Sequence, residues 1–201
     1  MTYVETIEPR LTPYRPGSPT DAAAVLVEWC RDLEQELAAR LELVTAEDLR
    51  WQPHPNSNSA GVTVWHVARW IDVLGTRAFT ARPASEDLWH TRGWRDTTGY
   101  EPDGIGYQGL GTLTGYTPDQ MRAVPTLDAI SLSTYLSQST AALIDQITDL
   151  SSGVLTASGP AQPAPFQAIG ATLQGSFGHV GEIDSLVALR ARLAGAEIDR
   201  S

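Results

Sequence analysis

The sequence predicts an all-α protein, folded as an antiparallel four-helix bundle with a long aromatic-rich loop between the second and third helices. Two observations predict this fold class. Apolar residues recur at spacings of three and four along four long segments of the 201-residue chain. No strong alternation of apolar and polar residues, which would indicate strands, interrupts them. We expect residues 1–201 to form a single domain, with residues 1–19 as an extended N-terminal arm.

The four helices are predicted from periodicity together with start and stop signals. The first covers residues 21–43, and the second covers residues 59–81, where Pro83 ends it. The third covers residues 127–150. A Gly/Pro/Ser-rich connection leads to the fourth helix, residues 166–194, whose apolar stripe extends to Leu189 and Leu193.

The loop between the second and third helices covers residues 83–124. It is too long for an ordinary connection and too rich in aromatic residues for a disordered linker. Within it, Thr117 and Pro118 have the cap and first-turn proline of a short helix. We expect an ordered excursion over one end of the bundle, which either forms an apolar wall for a small molecule or caps the core.

Composition excludes several functional classes. The net charge is -10, and all 14 basic residues are arginine. Such a surface repels phosphate backbones and anionic lipids, so we expect a small-molecule substrate and neither nucleic acid nor a membrane as partner. The absence of lysine excludes Schiff-base chemistry through a lysine. The N-terminus lacks a secretion signal, which predicts a cytoplasmic location.

The candidate site residues are two histidines and a carboxylate. His179 lies near the middle of the apolar arc of the fourth helix, and Glu182 follows on the same face. His66, at the boundary of the arc of the second helix, could face either way. If it faces inward, the three side chains would form a two-His-one-carboxylate set that suits zinc, nickel or ferrous iron.

Alternatives to a metal site remain open. A lone inward histidine is commonly hydrogen-bonded within a core, and His66 or Glu182 could instead act as general acid or base without a metal. His54 and His90 are predicted to be surface loop residues. The expected pocket is completed by residues of the second helix and the excursion. These are Arg69, Trp70, Trp89, Trp94 and Tyr100.

Several stretches in this order resemble the DinB-like superfamily, and within it an actinobacterial branch of uncharacterised domains. They are Leu-Val-Thr-Ala-Glu-Asp-Leu at residues 43–49, Val-Trp-His-Val-Ala-Arg at 64–69, the segment 89–94, Gly-Tyr-Thr at 115–117 and His-Val-Gly-Glu-Ile at 179–183. The resemblance covers about residues 20–195. It implies a four-helix bundle, frequently a homodimer.

The resemblance also implies a divalent metal, zinc or nickel, held by one histidine on the second helix and an H-x-x-x-H pair on the fourth. His66 matches the first of these and His179 the last. Gly175 stands at the remaining position, so the triad is incomplete, and Glu182 is a possible substitute.

Characterised members that the chain is similar to are thiol-dependent transferases or isomerases that use mycothiol, bacillithiol or glutathione, with the metal lowering the pKa of the thiol. The resemblance therefore implies a metal-dependent S-transferase or isomerase that uses a low-molecular-weight thiol. The alternative is a metal-free ligand-binding or accessory protein, or a metal-free biosynthetic enzyme.

Overall fold

Four long helices account for most of the structure, a computed structural model that describes residues 22–80, 82–150, 152–156 and 164–198. The predicted N-terminal arm, residues 1–19, lies outside the described residues. In chain order the helices are α1 (Ala22–Leu41), α2 (Ala46–Arg50), α3 (Ala60–Thr76), α4 (Leu88–Thr91), α5 (Trp94–Thr98), α6 (Pro118–Arg122), α7 (Ala129–Asp149), α8 (Ser152–Thr156) and α9 (Pro165–Ile198). Short 3₁₀ turns lie at Ala84–Glu86 and Tyr107–Gly109. The described residues contain no strand, which confirms the all-α prediction.

The long helices form a four-helix bundle, as predicted. Helix α3 packs against α7 and α9, and α1 packs against the same two helices, so α1 and α3 lie on one diagonal. Thr63 and His66 of α3 meet Glu182 and His179 of α9, respectively, so these two helices run antiparallel. Helices α3 and α7 run parallel, not antiparallel as predicted, because the excursion returns the chain to the end of the bundle where α3 began.

Leucine and isoleucine side chains at helical spacing fill the centre of the bundle. Those with no measurable exposure include Leu26, Leu33, Leu37, Leu136, Leu143, Ile147 and Ile169. Helices α3 and α7 approach most closely at Gly75, where a Cβ atom would lie 2.7 Å from the backbone nitrogen of Leu143. A larger residue at this position would push the two helices apart.

The starts of α3 and α6 follow the prediction, because the side chains of Ser59 and Thr117 each accept a hydrogen bond from a first-turn backbone N–H. Helix α7 is capped in the same way by Asp128, which the sequence analysis did not single out. The ends were harder to predict. Helix α3 stops at Thr76 rather than near residue 81, because Arg77 leaves the helical conformation and its guanidinium contacts the excursion.

Helix α9 runs to Ile198, four residues beyond the predicted end. An ion pair between Arg40 and Asp184 aligns the last turn of α1 with the middle of α9. The C-terminal part of α9 therefore extends past α1, and Leu189 and Leu193 are 41% and 50% exposed instead of facing the core. In the described part of the chain, no helix has the length and apolar content needed to cross a bilayer.

Candidate functional site

The two histidines that the sequence singled out meet between α3 and α9. The ring centroids of His66 and His179 are 4.9 Å apart, and the rings are nearly perpendicular at 86°. Periodicity left the direction of His66 open, whereas the packed helices place it against α9 and beneath the excursion. Glu182 lies beside the pair, one turn further along α9.

The imidazole of His179 is oriented by Glu182. Nδ1 of His179 lies 2.7 Å from Oε2 of Glu182, and this hydrogen bond is the main reason that the pKa of the Glu182 carboxyl lies below its usual range. An ionised carboxylate only accepts hydrogen bonds, so Nδ1 of His179 carries a proton and donates it. In the neutral ring, the lone pair is then on Nε2. Both side chains reach solvent, with exposures of 30% and 38%.

The imidazole of His66 is oriented by a backbone carbonyl. Nδ1 of His66 is hydrogen-bonded to the oxygen of Thr112 in the excursion. A carbonyl cannot donate, so Nδ1 again carries the proton and Nε2 has the lone pair. The pKa of His66 is lowered to about 4, mainly because the ring is buried. The neighbouring His179 also lowers it, whereas the hydrogen bond to Thr112 raises it. His66 is therefore uncharged at neutral pH.

A cavity of about 240 Å³ opens beside His66. Its lining combines hydrogen-bonding groups with two apolar side chains, and no charged side chain contributes. The lining residues are Asn58, His66, Leu113, Thr114, Gly115, Tyr116 and Met121. A cavity of this kind suits a small, uncharged, hydrogen-bonding molecule.

A buried ion cluster fastens the start of the excursion to α3. Arg69 pairs with Asp72 at 2.9 Å and with Asp87 at 2.7 Å, and all three side chains have no exposure. The Asp72 carboxylate also accepts the backbone N–H groups of Leu88 and Trp89, and so caps α4. Arg69 was predicted as a pocket residue. The structure places it instead in this cluster, because two buried carboxylates need its charge.

The predicted aromatic residues divide between two places. Trp89 is fully buried and contacts Trp65 and Tyr135 edge to face at 5.7 and 5.2 Å, and Trp94 and Tyr100 pack around it. This group does not line the cavity beside His66 and caps the bundle core. Trp70 lies by the cavity wall, where its Nε1 donates to Oγ1 of Thr114 at 3.2 Å.

His90 belongs to an ionic group that the sequence did not suggest. It lies on α4 with a side chain only 11% exposed, and its Nε2 is 2.9 Å from Asp103 and 3.6 Å from Glu101. Among the described residues, this is the one group of three His, Cys, Asp or Glu whose potential ligand atoms lie within 4.8 Å of one another. Arginines already pair with both carboxylates, so we interpret the group as part of the ion network.

Sequence reasoning missed most of the cavity lining. Asn58, Leu113 and Met121 have no catalytic signature, and Thr112 acts through its backbone. The available signal was the closely spaced pair Gly111 and Gly115. Both have positive φ, at 66° and 75°, and so mark a tightly folded segment rather than a linker.

Comparisons with known proteins agree with this architecture. A family model described as the DinB superfamily matches residues 30–182. A solved structure titled as that of a conserved protein of locus from Enterococcus faecalis is 16% identical and has a TM-score of 0.68. That alignment covers 85% of this chain and 98% of the other, and at this identity it establishes the fold alone. The curated proteins include no match.

Proposed function

Since the chain belongs to the DinB superfamily, we propose that it is a small-molecule enzyme in which His179 activates a nucleophile by accepting its proton. A low-molecular-weight thiol is the first candidate nucleophile, and S-transfer or isomerisation is the reaction class. The supporting observation is that both imidazoles donate through Nδ1, which leaves a lone pair on each Nε2. The two ring centroids are 4.9 Å apart, and His66 lines the cavity.

His179 is the better base of the two. The ionised Glu182 at its Nδ1 holds the ring in place and stabilises the positive charge that protonation of Nε2 creates. His66, whose pKa of about 4 keeps it uncharged, does not repel that charge. Its Nε2 instead accepts a hydrogen bond from the substrate and orients it.

The proposed step moves one proton and exchanges one bond. The thiol proton passes to Nε2 of His179 as the sulfur attacks an electrophilic carbon. A carbon–sulfur bond forms and the bond from carbon to the leaving group breaks. The leaving group departs with the electron pair, and the proton on His179 goes to it or to solvent. Thr114 and Tyr116, which line the cavity, can donate hydrogen bonds to the electrophile.

The donor set does not fit a catalytic metal of the implied kind. An open zinc site has three protein ligands, and this chain offers the two Nε2 atoms of His66 and His179. Glu182 accepts a hydrogen bond from Nδ1 of His179, which is the role of a carboxylate that orients a metal-bound histidine. A carboxylate in this role does not serve as the third ligand. Position 175, one turn before His179, is glycine. The proposed reaction therefore has no step that uses a metal.

A thiol-transfer assay tests the proposal. We would measure the rate at which the protein couples mycothiol, glutathione or bacillithiol to chlorodinitrobenzene, for the parent and for His179→Ala and Glu182→Gln. Loss of the base should lower the rate about 100-fold or more. Glu182→Gln should lower it less, because the amide oxygen still accepts from Nδ1 but carries no charge.

His54→Asn, which removes an exposed histidine that does not line the cavity, is the matched control and should leave the rate unchanged. Equal rates in the parent and His179→Ala would contradict the proposal. Elemental analysis of untagged protein is the second measurement. About one zinc or nickel per chain, absent from His179→Ala, would favour the metal-dependent alternative instead.

A homodimer, which superfamily membership supports, is also part of the proposal. Leu189 and Leu193 on the extended part of α9 and Trp29 on α1 are exposed apolar side chains that a second copy could cover. Light scattering measures the mass, and Leu193→Glu should shift a dimer toward monomer if α9 contributes. The cytoplasmic location stays a prediction.

A further inference from the structure

We infer that Trp70 is a positioning residue for His66, because it holds the segment Thr112–Thr114 against α3 and so keeps the proton of the His66 ring on Nδ1. The inference rests on the proposed role of His66 as a hydrogen-bond acceptor toward substrate. It concerns a residue outside the catalytic pair, and its test does not require the reaction to be known.

Two donors one helical turn apart hold the segment. His66 and Trp70 lie four residues apart on α3 and therefore project from the same face. His66 donates from Nδ1 to the oxygen of Thr112, and Trp70 donates from Nε1 to Oγ1 of Thr114 at 3.2 Å. One hydrogen bond alone would let the segment pivot around the His66 ring. Two bonds, to residues two positions apart, set both its distance from α3 and its direction.

The segment is held in a conformation that it would not adopt on its own. Leu113 has φ +76°, in the left-handed region that leucine rarely occupies. Next to it, Thr112 is 1% exposed, and its Oγ1 has no hydrogen-bond partner among the described residues. An unfavourable backbone angle and an unpaired buried hydroxyl both cost folding free energy, so they persist only where the surrounding structure determines the conformation. Such features cluster around ligand sites. Here they lie on both sides of the carbonyl that His66 contacts.

The remaining hydrogen bonds of the segment lead back into the excursion. The backbone N–H of Tyr107 donates to the oxygen of Thr114 at 2.7 Å, and that of Tyr116 donates to the oxygen of Leu113 at 3.0 Å. These bonds give the segment its shape, but they do not connect it to α3. Within the described residues, the hydrogen bonds from residues 112–114 to α3 are those of His66 and Trp70.

The position of the Thr112 carbonyl determines which nitrogen of His66 can accept a hydrogen bond. If the Thr112 carbonyl moves away from Nδ1, the neutral ring no longer favours a proton on that nitrogen. The tautomer protonated on Nε2 then becomes populated. It presents a donor to the cavity where the proposed function needs an acceptor.

The experiment compares two tryptophan substitutions by NMR of protein labelled with ¹⁵N in its histidine rings. Trp70→Phe removes the N–H and keeps an aromatic ring. Trp94→Phe is the matched control, because Nε1 of Trp94 also makes a single side-chain hydrogen bond, to Gln138 at 3.0 Å, away from His66. His66→Asn identifies the His66 signals.

We expect the parent and Trp94→Phe to show His66 protonated on Nδ1 alone, and Trp70→Phe to show ring shifts that move toward the Nε2-protonated form. Loss of one hydrogen bond should also speed amide exchange at Tyr107 and Tyr116 by about fivefold. Thr114→Val removes the acceptor instead of the donor. It should reproduce both changes, and adding it to Trp70→Phe should produce little further change.

Unaltered His66 ring shifts in both Trp70→Phe and Thr114→Val would overturn the inference. If the Phe variant unfolds, Thr114→Val decides alone, since Thr114 is exposed and valine has nearly its shape. The two proposals fail separately. A positive tautomer result beside an unaffected His179→Ala rate would refute the proposed function and leave the positioning role intact.

Discussion

Acidification should destabilise the fold through His66, and the size of the effect follows from its surroundings. Burial lowers the pKa of His66 from 6.5 to about 4 in the folded state, whereas the unfolded chain leaves the ring in water. Between these two values the unfolded state binds the extra proton and the folded state does not. The stability that His66 contributes is therefore complete above about pH 6.5 and is lost as the pH falls toward 4.

The magnitude can be worked from the same two values. The pKa of His66 differs between 6.5 in the unfolded state and about 4 in the folded state. The protein should therefore lose about 3 kcal/mol of unfolding free energy in total as the pH falls from neutral to below 4. At pH 5, where most surface carboxylates are still ionised, about 2 kcal/mol of it should already be lost. This is a large fraction of the stability of an ordinary domain.

Urea unfolding at pH 7 and pH 5 measures the effect, and His66→Asn isolates it. The asparagine amide can still donate to the Thr112 oxygen but does not titrate. The parent should lose about 2 kcal/mol more than the variant between the two pH values. His54→Asn, which removes one exposed histidine, should behave like the parent. An equal loss of unfolding free energy in the parent and in His66→Asn would refute the reasoning. It would show that the His66 ring has the same pKa in the folded and the unfolded protein.

Four further substitutions test the packing and the site. Arg69→Met leaves the fully buried Asp72 without its arginine, and leaves the fully buried Asp87 with Arg77 alone, at 3.2 Å. The change should cost about 3–5 kcal/mol in urea unfolding, so a loss below about 1 kcal/mol would contradict the assigned ion cluster. Gly75→Ala should lower the melting temperature, because the added Cβ would lie 2.7 Å from a backbone nitrogen of α7. In Gly178→Ala the added Cβ meets no atom within 4 Å, so this variant should be stabilised by up to about 1 kcal/mol. A higher melting temperature for Gly75→Ala than for Gly178→Ala would contradict the packing of α3 on α7. Gly175→His adds an imidazole where a Cβ has open space within 4 Å, one turn from His179. It should create zinc-dependent stabilisation in thermal melts, and a zinc response equal to that of the parent would show that the three positions do not converge.

The bundle could be predicted because each long helix carries its own local signals. Spacings of three and four place Leu26, Leu33 and Leu37 on one face of α1. This face packs inward because burying apolar side chains is favourable. Polar residues such as Ser59 and Thr117 marked helix starts for an equally local reason, since a side-chain oxygen caps the N–H groups of its own first turn.

The excursion could be predicted to be ordered, but its path could not. Its route depends on Arg69, which reaches from α3 to Asp87, and on Asp72, which caps α4 from another helix. A charged residue in an amphipathic helix is ordinarily a surface residue, so nothing near Arg69 in the chain indicates that it is fully buried. Only the meeting of distant carboxylates with its guanidinium makes that burial favourable.

The amino-acid sequence by itself determined the helices, their inward faces and the presence of two histidines on different helices, because these properties depend on neighbours within one or two turns. The tertiary structure alone decided what the histidines can do. His66 lies at the edge of its apolar arc, and the Thr112 carbonyl and α9, distant in the chain, set its direction and its tautomer. Its burial in the packed structure gives it a low pKa. A proton's position on an imidazole depends on which group lies across from each nitrogen, and that group is known only once the chain has folded.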